Sequence, residues 1–225
     1  PPPPPPPAPP FFFYKDKRAN EMLRSLVGSE MCIRDRHLAD VLRYAYESPF
    51  YTTCSNIFWY TFDFEYIHFV SISSEHDYEP GSSQYIWLEN DLENANENRE
   101  SVPWIIVFAH RPMYSSNGDG DGHGSEIEFR EAMESLLFDY NVDLAIWGHD
   151  HHYERTHPVF EEEVYANNTG TYNDPYYLPG ATIHIVAGMS GRSVYDGLEE
   201  PQPEWSAYRA VSYTHLRAHE TPEHL

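Results

Sequence analysis

Histidines follow two short apolar segments of this chain, and their spacing suits metal binding. The four histidines are His110, His149, His151 and His152. The first comes directly after residues 104–109, and the others follow residues 142–147 and Gly148, which we expect to let the backbone approach closely. Imidazole is a common ligand of zinc and iron, and two histidines separated by one residue can direct their nitrogens toward neighbouring ions. The pattern predicts a metal site.

Each histidine also allows an interpretation without a metal. A single histidine after an apolar strand, such as His110, is commonly a partly buried, hydrogen-bonded side chain. A histidine-rich turn at 149–152 could simply be solvated. Three histidines beside one glycine at the end of a strand are nevertheless typical of metal ligands, and metal binding is the favoured hypothesis.

Strands and helices are predicted to alternate around these histidines. Aromatic, β-branched and continuous apolar runs predict strands at 57–64, 66–73, 104–109, 142–147 and 181–187. Apolar residues at helical spacing predict one helix that begins at Ser82 or Ser83 and another over about 125–140. This alternation indicates a layered α/β architecture, in which ligands bind at the carboxyl ends of the strands.

The composition is that of a globular chain with an acidic surface. Of the 225 residues, 40% are hydrophobic, while 14 basic residues against 36 acidic ones give a formal net charge of -22. Such a surface repels nucleic acids and anionic membranes, so neither is an expected partner. The two cysteines, Cys32 and Cys54, exclude a disulfide framework and a cysteine-rich zinc site. No run of about 18 apolar residues predicts a membrane span.

The two ends of the chain differ in composition from its middle. Residues 1–10 are almost entirely proline, which is typical of a disordered leader, although a ligand for proline-binding modules has the same composition. Residues 17–36 and 211–225 resemble translated sequencing-adaptor sequence. We therefore predict a leader at 1–36, a partial domain at 37–210 and an adaptor-like tail.

Two segments carry a resemblance to a known family. Residues 109–114 read AHRPMY and residues 148–155 read GHDHHYER. They are similar to the GHRPMY-type and GHxHxYER segments of the purple acid phosphatases, members of the calcineurin-like metallophosphoesterase superfamily. Further stretches resemble the WYSFD, (S/T)EHD and QYxWL segments of that family: FWYTFD at 58–63, SSEHD at 73–77 and QYIWL at 84–88.

The resemblance, which covers about residues 37–209, implies a fold and a reaction. The fold would be an incomplete four-layer α/β/β/α metallophosphoesterase sandwich. The reaction would be hydrolysis of small phosphomonoesters by a hydroxide held by two metal ions. His110 and His149 would bind a divalent ion, namely zinc, iron or manganese, and His151 would bind a ferric ion.

The resemblance also implies supporting residues. Tyr153, Glu154 and Arg155 would orient the metal-binding loop by packing and hydrogen bonds. His123 would bind substrate or donate a proton, although a solvent-exposed loop histidine is the plain alternative. Asn167 begins an N-glycosylation sequon, which is consistent with the secreted or vacuolar/lysosomal location typical of the family.

The chain departs from the family pattern before residue 57. The blocks that supply an Asp, a bridging Asp with a nearby Tyr, and an Asn-His pair are not found there. Because these blocks are not found, we expect that the N-terminal half is missing. Because ferric iron prefers oxygen donors, we expect that the polypeptide as written is inactive. The alternatives are a non-catalytic metal- or phosphate-binding module, a mononuclear zinc hydrolase using His110, His149 and His151, and a polyproline-bearing interaction protein.

Overall fold

One large mixed sheet with two helices forms the described part of the protein. A computed structural model describes residues 52–54, 58–118, 123–166, 176, 180–189 and 197–210. The strands are β1 (Thr52–Cys54), β2 (Tyr60–Phe64), β3 (Ile67–Ser71), β4 (Trp104–Ala109), β5 (Leu144–Trp147), β6 (Tyr153–Thr156), β7 (Val159–Phe160), β8 (Glu163–Val164), β9 (Ile183–Ala187) and β10 (Ser206–Ala210). The helices are α1 (Ser83–Glu97) and α2 (Ile127–Asp139). The predicted α/β class is confirmed. The leader, the tail and Asn167 lie outside the described residues.

Eight of the strands pair in the order β1-β2-β3-β4-β5-β9-β6-β10, and β7 and β8 form a separate hairpin. The central strands β3, β4, β5 and β9 run parallel to one another, while the flanking strands pair antiparallel. Since the carboxyl ends of parallel strands lie at one edge of a sheet, the loops after β4, β5 and β9 meet at that edge.

Helix α1 begins where the sequence predicts. Ser82 is its N-cap, and the Ser82 side chain accepts a hydrogen bond of 3.2 Å from the backbone N–H of Tyr85. This bond satisfies one of the N–H groups that the first turn leaves without a partner. Leu88, Leu92 and Ala95 recur at helical spacing and are buried against the sheet.

Helix α2 packs on the same face of the sheet as α1. Residues of both helices share one apolar cluster with Val70 of β3, Val107 of β4 and Trp147 of β5. On α2, Phe129 and Met133 are almost completely buried in this cluster. The packed helices fix the positions of the strand ends.

The opposite face of the sheet is also apolar. Four aromatic side chains form its buried cluster: Tyr60, Phe62, Phe69 and Phe108. Partly buried hydrophobic side chains pack around them: Phe64, Ile67, Ile106 and Ile146. A second large sheet, as in a complete four-layer sandwich, does not occur among the described residues. None of the described helices is long and apolar enough to cross a bilayer.

A charged cluster joins α1 to the amino-terminal end of β3. Nδ1 of His68 lies 2.5 Å from Asp63 Oδ1, and its Nε2 lies 2.8 Å from Thr61 Oγ1 and 3.1 Å from Asp91 Oδ2. The Thr61 hydroxyl donates its proton to the Phe69 carbonyl oxygen, so both nitrogens of His68 face acceptors. Burial lowers the pKa of His68, but the Asp91 and Asp63 carboxylates outweigh it and the pKa is raised. The imidazolium is therefore the form that this cluster favours.

Candidate functional site

His110 and His149 lie side by side at the carboxyl edge of the sheet. His110 follows the last residue of β4, and His149 lies two residues beyond the end of β5. These strands are neighbours, and the backbone N–H of Gly148 donates a hydrogen bond of 2.9 Å to the His110 carbonyl oxygen. As a result, His110 Nε2 and His149 Nδ1 are only 3.0 Å apart.

Two further histidines complete the cluster. The ring of His123 stacks on His149 with 4.7 Å between centroids, and its centroid lies 6.2 Å from that of His151. His151 is 8% exposed. The structure thus brings together the three predicted metal ligands and the predicted substrate histidine, while their roles stay predictions. His152, the residue after His151, is completely buried.

The backbone of the metal-binding loop is strained at His149. Its φ of 59° lies in the left-handed region, which is uncommon for residues other than glycine. A Cβ placed at Gly188, after β9, would lie 2.3 Å from the Asp150 carbonyl oxygen. At Gly148 a Cβ would meet only ordinary contacts, 3.5 Å from the His110 carbonyl oxygen. The expectation that Gly148 permits the close approach is therefore wrong, and Gly188 is the glycine that this loop requires.

The protonation of His110 suits metal binding. Burial, together with the neighbouring His149, lowers the pKa of His110 to about 4. The ring therefore stays neutral in moderately acidic solution, and a neutral ring offers a lone pair to an ion. Zinc–imidazole bonds are about 2.0–2.1 Å long, so both facing nitrogens of the pair can reach one ion. The pair fits a divalent transition metal.

Asp150 is a site residue that the sequence interpretation missed. Its side chain is completely buried, and Oδ2 accepts hydrogen bonds from the Ser115 hydroxyl and from the backbone N–H of Gly124, the latter at 3.0 Å. Oδ1 has no hydrogen-bond partner among the described residues. Burial raises the pKa of Asp150, although the Ser115 hydrogen bond opposes the shift. Its position between two candidate ligands in GHDHHYER was the only available signal.

Glu154 holds the loops beneath the cluster. This buried carboxylate accepts hydrogen bonds from the Ser116 backbone N–H at 2.7 Å, the Ser206 hydroxyl at 2.5 Å and His152 Nε2 at 3.1 Å. Burial raises the pKa of Glu154, but these hydrogen bonds outweigh it, so the pKa is lowered and the group is ionised. Glu154 thereby links the loop after β4 to strand β10.

The other two predicted supporting residues lie on the opposite side of β6. Side chains alternate along a strand, and Tyr153 and Arg155 are partly buried where Glu154 is fully buried. Tyr153 packs against Tyr208 of β10, and the Arg155 guanidinium lies 5.7 Å from the Tyr176 ring centroid. Their contacts stabilise the sheet edge, and an orienting role at the metal-binding loop stays a prediction.

Arg111 anchors the segment that follows His110. Its guanidinium donates to Glu75 Oε1 at 2.7 Å and to Glu126 Oε1 at 2.5 Å, and its backbone N–H donates to the Ser74 hydroxyl at 3.1 Å. Ser74 and Glu75 of the SSEHD stretch therefore contact the residue that follows His110. The loop after β3 holds the loop after β4.

A cavity of about 440 Å³ opens beside His123. Its walls include Ser115, Glu162, Glu199 and Trp205, so they come from the loop after β4, the β7–β8 hairpin and the segment before β10. The lining that the structure describes contains acidic, hydroxyl and aromatic groups but no lysine or arginine. The cavity places a small-molecule-sized space next to the histidines.

Comparisons with known proteins agree with this geometry. Residues 36–153 match the model of the calcineurin-like phosphoesterase family, and residues 181–225 match that of the iron/zinc purple acid phosphatase-like protein C. The chain is similar to acid phosphatase type 7 of Danio rerio, with 37% identity over 71% of this chain and 40% of that protein. It is also similar to the probable inactive purple acid phosphatase 1 of Arabidopsis thaliana, with 36% identity over 76% of this chain and 28% of that protein.

A solved structure shows the same fold. The purple acid phosphatase isolated from yellow lupin (Lupinus luteus) seeds aligns with a TM-score of 0.61 and 31% identity, over 72% of this chain and 28% of that one. The chain spans less than half the length of each of these three relatives. With its histidine cluster at the carboxyl edge of the sheet, the chain belongs to the calcineurin-like phosphoesterases and, within them, to the purple acid phosphatases.

Proposed function

We propose that this chain carries part of a two-metal centre that hydrolyses small phosphomonoesters, and that the polypeptide as written is inactive because the family's oxygen-donor blocks are not found in it. In this proposal His110 and His149 bind a divalent ion, either zinc, iron or manganese, and His151 binds a ferric ion. The observation that carries it is the 3.0 Å separation between His110 Nε2 and His149 Nδ1 at the ends of neighbouring parallel strands. The ferric ion rests on family membership, because ferric iron prefers oxygen donors to imidazole.

The chain's own residues would position and protonate the substrate. When bound, the metal pair lowers the pKa of water and offsets the charge of the phosphoryl group. His123, stacked on His149 and lining the 440 Å³ cavity, would donate a proton to the leaving oxygen of an ester held there. Asp150 fixes the loop of His123 through Gly124, and Glu154 fixes the preceding loop through Ser116.

Hydrolysis of p-nitrophenyl phosphate by the protein loaded with iron and zinc tests this function. Over about pH 4 to 8, we expect no turnover by the polypeptide as written. We expect acid-range turnover once a segment that supplies the family's Asp, Tyr and Asn-His blocks is joined to it, and His110→Gln and His149→Gln should then each reduce that turnover about 100-fold or more. His157→Gln is the matched control, because it removes a half-buried histidine whose ring bonds to Tyr176 outside the cluster. The proposal fails if, in that extended protein, the two cluster variants hydrolyse the ester as fast as the control does.

A non-catalytic metal- or phosphate-binding module is the second candidate. It is favoured by the similarity to Arabidopsis relatives whose names describe them as probable inactive purple acid phosphatases. In the same assay, this candidate predicts tight metal binding without turnover.

We further propose a secreted or vacuolar/lysosomal location, where the acidic medium would suit the reaction. Fractionation of cells that express the protein checks this location.

A further inference from the structure

Three side chains converge beside the His110–His149 pair. One ligand atom from each of His123, His149 and Asp150 lies within 4.8 Å of the other two. Two imidazoles and one carboxylate make up a donor set found in zinc hydrolases, and the set suits divalent transition metals in general. Asp150 is what distinguishes this set from the pair, because it contributes an oxygen donor.

The buried carboxylate of Asp150 gives an independent reason to expect a cation. Oδ2 already accepts two hydrogen bonds, whereas Oδ1 has no partner among the described residues although the side chain is completely buried. Leaving a carboxylate oxygen buried without a donor is costly. An ion bound at Oδ1 would remove that cost and would hold the carboxylate in its charged form.

The three residues are held in place before any ion binds. Gly124, next to His123, has a φ of 114° and packs so closely that a Cβ there would lie 2.8 Å from the Asn117 carbonyl oxygen. Its N–H donates to Asp150, so the loop of His123 is tied directly to the loop of His149. A preorganised set of donors binds an ion without a further cost in chain entropy.

We propose that His123, His149 and Asp150 form a binding site for one divalent transition-metal ion, an alternative to the His110–His149 pair because the neutral imidazole of His149 offers its one lone pair to one ion at a time. The inference does not depend on the proposed hydrolysis, because it concerns metal binding alone. The two ligand sets share His149, so variants outside the shared residue tell them apart. His110 belongs only to the pair, while His123 and Asp150 belong only to the new set.

The test is a titration of the full chain with Co²⁺ and with Zn²⁺, read by visible absorption and by equilibrium dialysis. In a His110→Gln background, which disables the pair, we expect one ion to remain bound. Adding Asp150→Asn or His123→Gln should then weaken binding about tenfold or more. His157→Gln is the control, because it removes a histidine that bonds to Tyr176 and leaves all three ligands and their hydrogen-bond partners in place.

Two results would overturn the site. One is that His110→Gln alone abolishes binding, and the other is that Asp150→Asn and His123→Gln leave affinity unchanged. Histidine-ring ¹⁵N spectra of the unmutated chain provide a check that does not depend on variants folding. Zn²⁺ should shift the His123 resonances, and a shift confined to His110 and His149 would contradict the inference.

Discussion

The packing of Gly188 against Asp150 predicts that the Gly188→Ala variant binds metal more weakly than the unmutated chain. The added Cβ would lie 2.3 Å from the Asp150 carbonyl oxygen and 3.1 Å from the Gly148 carbonyl carbon. Relieving the contact with oxygen requires a backbone shift of about 1 Å, since unstrained carbon contacts are no shorter than about 3.3 Å. The residues that must move are those on either side of His149.

A displacement of this size should weaken metal binding more than it weakens the fold. Overpacking of this kind costs about 1–3 kcal/mol of stability. Misplacing residues that orient metal ligands typically reduces affinity about 10- to 100-fold. The assay is competition for Zn²⁺ against a chromophoric chelator, with thermal unfolding to show that the variant is folded.

Gly148→Ala is the matched control for this experiment. It adds the same methyl group to the same loop, but its contacts of 3.5 Å and 3.6 Å with His110 are ordinary. We expect affinity within about threefold of the unmutated chain. Folded Gly188→Ala protein that binds Zn²⁺ as tightly as Gly148→Ala protein would refute the assignment of Gly188 as the glycine that the loop needs.

Three further predictions concern the supporting structure. Asp91→Asn should lower the free energy of unfolding by about 1.5–3 kcal/mol below about pH 6.5, because it removes a carboxylate partner of the His68 imidazolium. This loss should shrink as the pH rises through the raised pKa of His68, which Asp63, Asp91 and Thr61 surround. Urea unfolding at pH 5 and pH 9 measures the loss, and equal losses at both would contradict the imidazolium. Glu154→Gln should cost about 1–3 kcal/mol and speed amide exchange at Ser116, whose N–H it binds; unchanged exchange would argue against Glu154 as the anchor of that loop. Ser82→Ala should cost about 1 kcal/mol by removing the N-cap of α1, without changing the urea m-value.

Elements with a strong apolar pattern were predictable from the sequence. The strand at 104–109 was predicted to the residue, and the other predicted strands and both helices were placed within a few residues. Strands β6 and β10 were missed because their sequences, YERT and SAYRA, carry no apolar period. Their pairing depends on partners distant in sequence: β6 lies between β9 and β10. Such long-range contacts leave little local signal.

The sequence predicted the part of the site that lies directly at the ends of strands. His110 and His149 converge because parallel neighbouring strands carry them to one edge, which the alternation of elements already indicated. The role of Asp150 was not predictable, because it depends on Ser115 and Gly124 folding back over the carboxylate. The requirement for Gly188 depends likewise on a contact between two distant loops.

The aromatic face of the sheet bears on how the protein behaves at high concentration. Half-buried Phe64, Ile67, Ile106 and Ile146 extend the patch around Phe62 and Phe69, a surface on which copies of the chain could adhere. The formal charge of -22 keeps such copies apart. Salt shortens the reach of that repulsion to about 8 Å at 0.15 M, and it strengthens apolar contact rather than weakening it. A buffer of low ionic strength should therefore keep the protein monodisperse. High salt concentration, or a pH near the isoelectric point of about 4.8, should promote self-association.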